Sequence, residues 1–234
     1  MLRNSLYLVI LAAFAVITFA LVRNWQPAES LSPIAEHYAT NGPAEVGAAN
    51  LVTAVVVTYR GFDTLGEVTI LFVTAAIIGF FLSLFHTESP EESSWLAPTS
   101  EICSTASKLL IPFMLVLGAY VFINGHLTPG GGFQGGAIIA SAFVLMLLAN
   151  PKSKLNHRII ALVESVSGVA FVFIGLLGIF LAGGFLDNRI INLGTFGMLI
   201  SAGVIPLLYV FIGLKVGSEL TNIIGHLQQT QKNR

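Results

Sequence analysis

The sequence predicts an all-α, polytopic integral membrane protein with about seven spanning helices, and three observations lead there: scarce charge, long apolar runs and the continuity of those runs. Only 10% of the 234 residues are charged and 55% are hydrophobic, whereas an average soluble domain carries about 25% charged residues. Too few charges remain to cover a soluble surface, and mean hydropathy is +0.83. Apolar runs of about 17 to 25 residues recur along the chain, each able to cross a hydrocarbon core of about 30 Å. Backbone groups inside lipid must be satisfied internally. Unbroken runs do this as helices, and they lack the alternation of a membrane barrel.

The first run, residues 6–22, is bounded by Arg3 and Arg23 and reads as a spanning helix in preference to a signal peptide. Residues 24–43 are polar and contain Pro27, Pro33 and Pro43, which suits a loop with at most a short interfacial helix. The second run, 46–59, is marginally long and sits between Glu45 and Arg60; the third is 68–85. An acidic, proline-bearing stretch follows, with Glu88, Glu91, Glu92, Glu101, Pro90 and Pro98, and reads as a linker. Runs four to seven are 109–123, a stretch from about 132 to 149, 159–185 and 190–214, and a polar tail closes the chain. This divides the sequence into a membrane segment (1–87), a linker (88–103), a four-helix membrane domain (104–218) and a tail (219–234). With seven spans the basic loop 150–158 and the tail lie on one side, and the positive-inside rule makes that side cytoplasmic. The expected C-terminus is cytoplasmic and the N-terminus outside.

Composition removes several function classes. Formal net charge is −1 with no basic cluster, so the footprint of a nucleic-acid binder is missing. A lone Cys103 supports neither an intramolecular disulfide nor a metal site. No cofactor site and no enzyme-like catalytic constellation is visible.

Three places concentrate polar chemistry. Arg60-Gly-Phe-Asp63-Thr64-Leu-Gly-Glu67 puts three ionisable groups at a membrane boundary, where such groups are expensive and are functional candidates by default. Asp63 and Glu67, spaced i, i+4, suit a shared proton or cation, with Arg60 setting the balance. Thr64 and Glu67 equally match a capping box that satisfies the first N–H groups of a helix. Residues 125–136 read Gly-His-Leu-Thr-Pro-Gly-Gly-Gly-Phe-Gln-Gly-Gly, with six glycines in twelve positions. Such a stretch is a tight packing turn built for close backbone approach. A phosphate loop would need a following Lys-Ser or Lys-Thr, which is absent. His126 within it is either a proton relay or a headgroup-layer residue. Glu164, six residues and roughly 9 Å beyond Arg158 along a helix, either snorkels back to the basic loop or carries a proton inside the membrane. Lys215 reads as an interfacial anchor, and Pro112 and Pro206 predict kinks.

These residues carry a resemblance. The 125–136 motif, with Gly125, Pro129, Gly130, Gly131, Gly132, Phe133, Gly135 and Gly136, is followed by Ser201-Ala-Gly-Val-Ile-Pro-Leu-Leu208 and Ile212-Gly-Leu-Lys-Val216. Together they resemble the MnhB family, the MnhB-type component of the Mrp-type multisubunit Na+/H+ antiporters, over about 104–218. Residues 50–69 resemble the C-terminal part of the large MnhA-type component of those complexes and the small membrane subunits of membrane-bound hydrogenases. The resemblance implies a fusion joined at the acidic linker. It also implies a multi-pass accessory protein of the cell membrane, packed among other Mrp-type subunits, without catalysis of its own, in a complex exchanging Na+ for H+. Carried over, it makes Glu67, with Asp63 and Arg60, the ion-path candidates. Leu127 stands where relatives have Asn, which weakens a polar role for the turn. Membership in the membrane arm of a hydrogenase-type respiratory complex and a purely structural packing role are the alternatives.

Overall fold

The computed structural model describes residues 2–25, 30–84, 99–151, 153 and 155–232. Its elements in chain order are α1 (Leu2–Asn24), α2 (Pro33–Val46), α3 (Leu51–Thr53) continuing as a π-helical stretch (Ala54–Tyr59), α4 (Gly61–Ser83), α5 (Glu101–Ile123), α6 (Gly132–Ala149), α7 (His157–Leu181) and α8 (Ile205–Lys232). A single 3-10 turn, Asn188–Ile190, lies between α7 and α8. Among the described residues the only extended pairing is an isolated bridge between Gly194 and Ser201. The all-α membrane architecture therefore stands. Most of the linker, residues 85–98, falls outside the described residues.

Six helices are long and apolar enough to cross a membrane: α1, α4, α5, α6, α7 and α8. The second expected span is absent because its helix is only three residues of α3 and six of π-helix, about 14 Å at 1.5 Å per residue. Asn50 starts it by accepting the Val52 N–H at 3.1 Å, which is N-capping. It ends in a π-type bond from the Arg60 N–H to the Val55 carbonyl at 2.8 Å. Arg60 then leaves helical geometry (φ −120°, ψ 36°), and the chain doubles back so that the Thr64 hydroxyl reaches the Val56 carbonyl at 2.7 Å.

The seventh expected span begins late. Residues 190–204 are apolar yet irregular: Gly194, Gly197, Gly203 and even Ala202 take positive φ, which breaks any helix. The helix starts at Ile205, so Pro206 falls in its first turn, where a missing N–H is harmless, and no kink arises there. The supposed tail is instead helical through Lys232.

Residues 1–37 and 38–234 form separate compact units. In the first, the described side chains of α1 are all exposed. In the second, α8 is the hub, packed against α4, α5, α6 and α7. Lipid offers helices no hydrophobic reason to associate, so small residues and close backbone contact hold such bundles. Here a Cβ on Gly135 would stand 2.6 Å from the Gly118 carbonyl, and one on Gly136 2.7 Å from the Gly213 carbonyl. The buried cluster runs from Val46, Ala54 and Val57 to Leu186, Ile205, Leu208 and Ile212. The N-terminal and C-terminal parts of this unit thus share one core.

Candidate functional site

The glycine-rich turn between α5 and α6 is a docking point for the segment around α3. Asn50 donates from its side chain to the Gly125 carbonyl at 2.8 Å and to the Thr128 carbonyl at 2.9 Å, and its backbone N–H donates to the His126 carbonyl at 2.9 Å. The Thr53 hydroxyl donates to the Gly125 carbonyl at 2.7 Å and accepts from the Tyr209 hydroxyl of α8 at 2.8 Å. Gly125 is required because a Cβ there would lie 2.6 Å from the Tyr209 ring, and Gly131 takes φ 154° beside the same ring. Pro129, Gly130 and Phe133 belong to this turn and the start of α6. The packing reading of the motif accounts for these contacts. His126 is 0% exposed, so it does not sit in a headgroup layer. Neither of its ring nitrogens has a side-chain hydrogen-bond partner among the described residues. Burial pushes its imidazole below the usual range, opposed by backbone groups of Met198, Leu199 and Ile123.

The Arg60–Asp63–Glu67 group lies at the start of α4. Arg60 and Asp63 pair at 2.5 Å while remaining 63% and 51% exposed, and Glu67 is exposed one turn further on. The capping-box reading fails here. The helix begins at Gly61, no side chain caps it, and Thr64 is buried within it and bonded to Val56.

A polar cavity of about 470 Å³ lies near Glu45, Tyr59, Asp187 and Arg189. The Tyr59 hydroxyl donates to Glu45 at 2.5 Å; burial first and then that carboxylate push the phenol above its usual range. Arg189 donates from Nε to both Asp187 carboxylate oxygens, at 2.9 and 3.2 Å. These bonds hold the Asp187 carboxyl below its usual range.

The deepest charges are on α8. Lys215 is 5% exposed and Glu219 0%, and they form an ion pair one turn apart. Lys215 is therefore no interfacial anchor. It lies ten residues, about 15 Å, inside the helix start, with Nζ 4.9 Å from the Phe72 ring centre of α4. Glu164 of α7 faces Asn222 of α8 and lies within electrostatic reach of Lys215 and Glu219. Asn222 Oδ1 meets His157 Nδ1 at 3.3 Å, and the His157 and His226 rings are 5.4 Å apart. Sequence pattern singles out Glu164 but passes over Glu219, Asn222, His157 and His226. The signal is nonetheless present: Lys215, Glu219, Asn222 and His226 are spaced i, i+4, i+7, i+11, one helical face. Ending the helix at residue 214 hides it.

A family model described as a domain related to the MnhB subunit of Na+/H+ antiporter matches residues 102–222, and the MbhE model, described as a part of MBH, matches residues 29–100. The uncharacterized protein MJ1307 of Methanocaldococcus jannaschii is 32% identical over 195 residues, 74% of each chain. The putative antiporter subunit mnhB2 of Staphylococcus aureus (strain Newman) is 42% identical over 84 residues, which are 32% of this chain and 60% of that protein. Among solved structures, a chain of the membrane-bound sulfane sulfur reductase, an archaeal respiratory membrane complex, is 36% identical with a TM-score of 0.80. That match covers 97% of this chain and 98% of the other.

Proposed function

Because the chain belongs to the family of domains related to the MnhB subunit of Na+/H+ antiporters, we propose that it is a non-catalytic accessory component of a hetero-oligomeric membrane complex that moves monovalent cations against protons. In that complex it lines part of the ion pathway and packs the membrane arm. The observation that carries this reading is the exposed charge on α4. Arg60, Asp63 and Glu67 face outward at the start of a membrane-spanning helix, and ionisable groups at such positions face protein or water, not lipid. Partner subunits covering that face account for it. Glu67→Gln in the assembled complex tests the path. Sodium-dependent proton flux is expected to fall with assembly intact, and unchanged flux removes Glu67 from the route.

One observation favours a second host. The match to the sulfane sulfur reductase chain is end to end, with both pieces in one polypeptide, so the same ion module coupled to a respiratory redox enzyme is the competing assignment. Purifying the tagged chain in mild detergent and identifying its companions by mass spectrometry separates the two. Antiporter subunits alone support the first, and iron–sulfur or other redox subunits support the second.

Six spans also change the topology we propose. An even number puts both termini on one side, together with the basic loop at 150–158, and the positive-inside rule makes that side cytoplasmic. The C-terminus keeps its expected side and the N-terminus joins it.

A further inference from the structure

We propose that Lys215, Glu219 and Glu164 form a proton-loading centre in the membrane interior, reached from the 150–158 loop through Asn222, His157 and His226. This centre deepens the proposed function and rests on the chain being part of an ion-moving complex.

Four observations carry it. The first is charge. One ammonium faces two carboxylates, so with all three ionised the group holds a net negative charge inside the bundle, and one bound proton neutralises it. A buried group whose neutrality depends on a single proton has two states to move between. The second is the free acceptor. Glu219 spends Oε1 on Lys215, while its Oε2 is buried with no partner among the described residues. A static ion pair needs its remaining lone pairs satisfied; this one leaves a carboxylate oxygen open to a proton.

The third is continuity. From Lys215 to His226 is eleven residues, about 16 Å of helix, roughly half the hydrocarbon thickness. Along it Glu219, Glu164, Asn222, His157 and His226 follow one another on the facing sides of α7 and α8. The outer end meets the basic loop, where the Gln228 side chain donates to the Pro151 carbonyl at 3.2 Å. The fourth is the other end. Among the described residues, Lys215 is the only charged one in the wall of a largely apolar cavity of about 560 Å³, lined by Leu65 and Phe72 of α4 and Val169 and Val172 of α7. The path ends at this opening between helices, where a partner protein can continue it.

The proton step is simple. A proton taken up from water at the histidines passes along the polar line to a carboxylate of the triad, which goes from carboxylate to carboxylic acid while Lys215 stays an ammonium. Its release in either direction restores the starting charge.

The test uses the complete complex in sealed vesicles, with proton movement followed by a fluorescent ΔpH probe on adding NaCl or KCl. Two variants are compared with wild type: Glu219→Gln and the double replacement Lys215→Met with Glu219→Leu. Removing both members of a buried pair with apolar residues of similar volume is often neutral or stabilising, so the double variant tests transport without leaving a lone buried charge. Both are expected to assemble, to lose at least about tenfold in initial rate, and to lack any carboxylic-acid C=O band of wild type in infrared difference spectra that Glu219 supplies. Wild-type rate in the assembled double variant overturns the proposal. So does failure of both variants to assemble, which would mark the pair as structural. Absence of cation-linked proton movement in wild type overturns the functional reading and this inference with it, whereas an active wild type with unaffected variants overturns this inference alone.

Discussion

Asn50 makes three hydrogen bonds to the glycine-rich turn and caps α3 with a fourth contact. Replacing it by Ala strands two carbonyls and a helix start, and should destabilise the purified chain by on the order of 2 kcal/mol, at about 1 kcal/mol or slightly less per bond, visible as a lower thermal midpoint in detergent. For His126 the sign of the pH dependence follows from burial. Its imidazole titrates below the ordinary 6.5, so the unfolded chain binds a proton before the folded one does. Stability is then fully present above about 6.5 and falls as pH drops from there through the folded value. Thermal midpoints measured between pH 7 and 5 should decline, and the decline should shrink in His126→Gln. At this scale the sequence is partly readable. The glycine motif and Glu164 stand out as composition, but Asn50, Thr53 and Tyr209 are ordinary polar residues whose importance comes only from partners more than seventy positions away.

Among elements, α6 and α4 make opposite predictions for the same substitution. Gly135→Ala forces a Cβ against the Gly118 carbonyl, a backbone atom that cannot turn aside; overpacking of this kind costs about 1–3 kcal/mol. Gly66→Ala meets nothing within 4 Å and removes a flexible residue from α4, so the isolated chain should be unchanged or slightly more stable. Thermal midpoints of the two variants side by side check the contrast. Helices α1, α4, α5, α6 and α7 are legible as apolar runs because length and hydropathy suffice to name a span. The two misread runs fail for a shared reason. Residues 46–59 and 190–204 are apolar because they are buried in protein, and irregular backbone is tolerated at that depth once it is covered. Hydropathy reports burial, and it cannot tell whether lipid or neighbouring helices do the burying. The same limit ends α8 too early, since its polar face past Lys215 looks like a tail until α7 is seen to cover it.

For the whole molecule, topology is the testable statement. Reporter fusions or cysteine labelling at the two ends should place both on the cytoplasmic face, and an N-terminus labelled only from outside would restore a seventh crossing. The fusion of two pieces is legible from motif positions alone, but not how firmly they are joined, since that depends on atoms. Asn50, Thr53 and Asn188 bridge them, the last donating to the Val46 carbonyl at 2.7 Å. A protease site engineered between Leu84 and Thr99 should therefore cut the polypeptide without separating its halves, which would migrate together on a native gel and part only in denaturant. The covalent link would then serve mainly during synthesis, delivering two complementary surfaces to the same patch of membrane at matched stoichiometry.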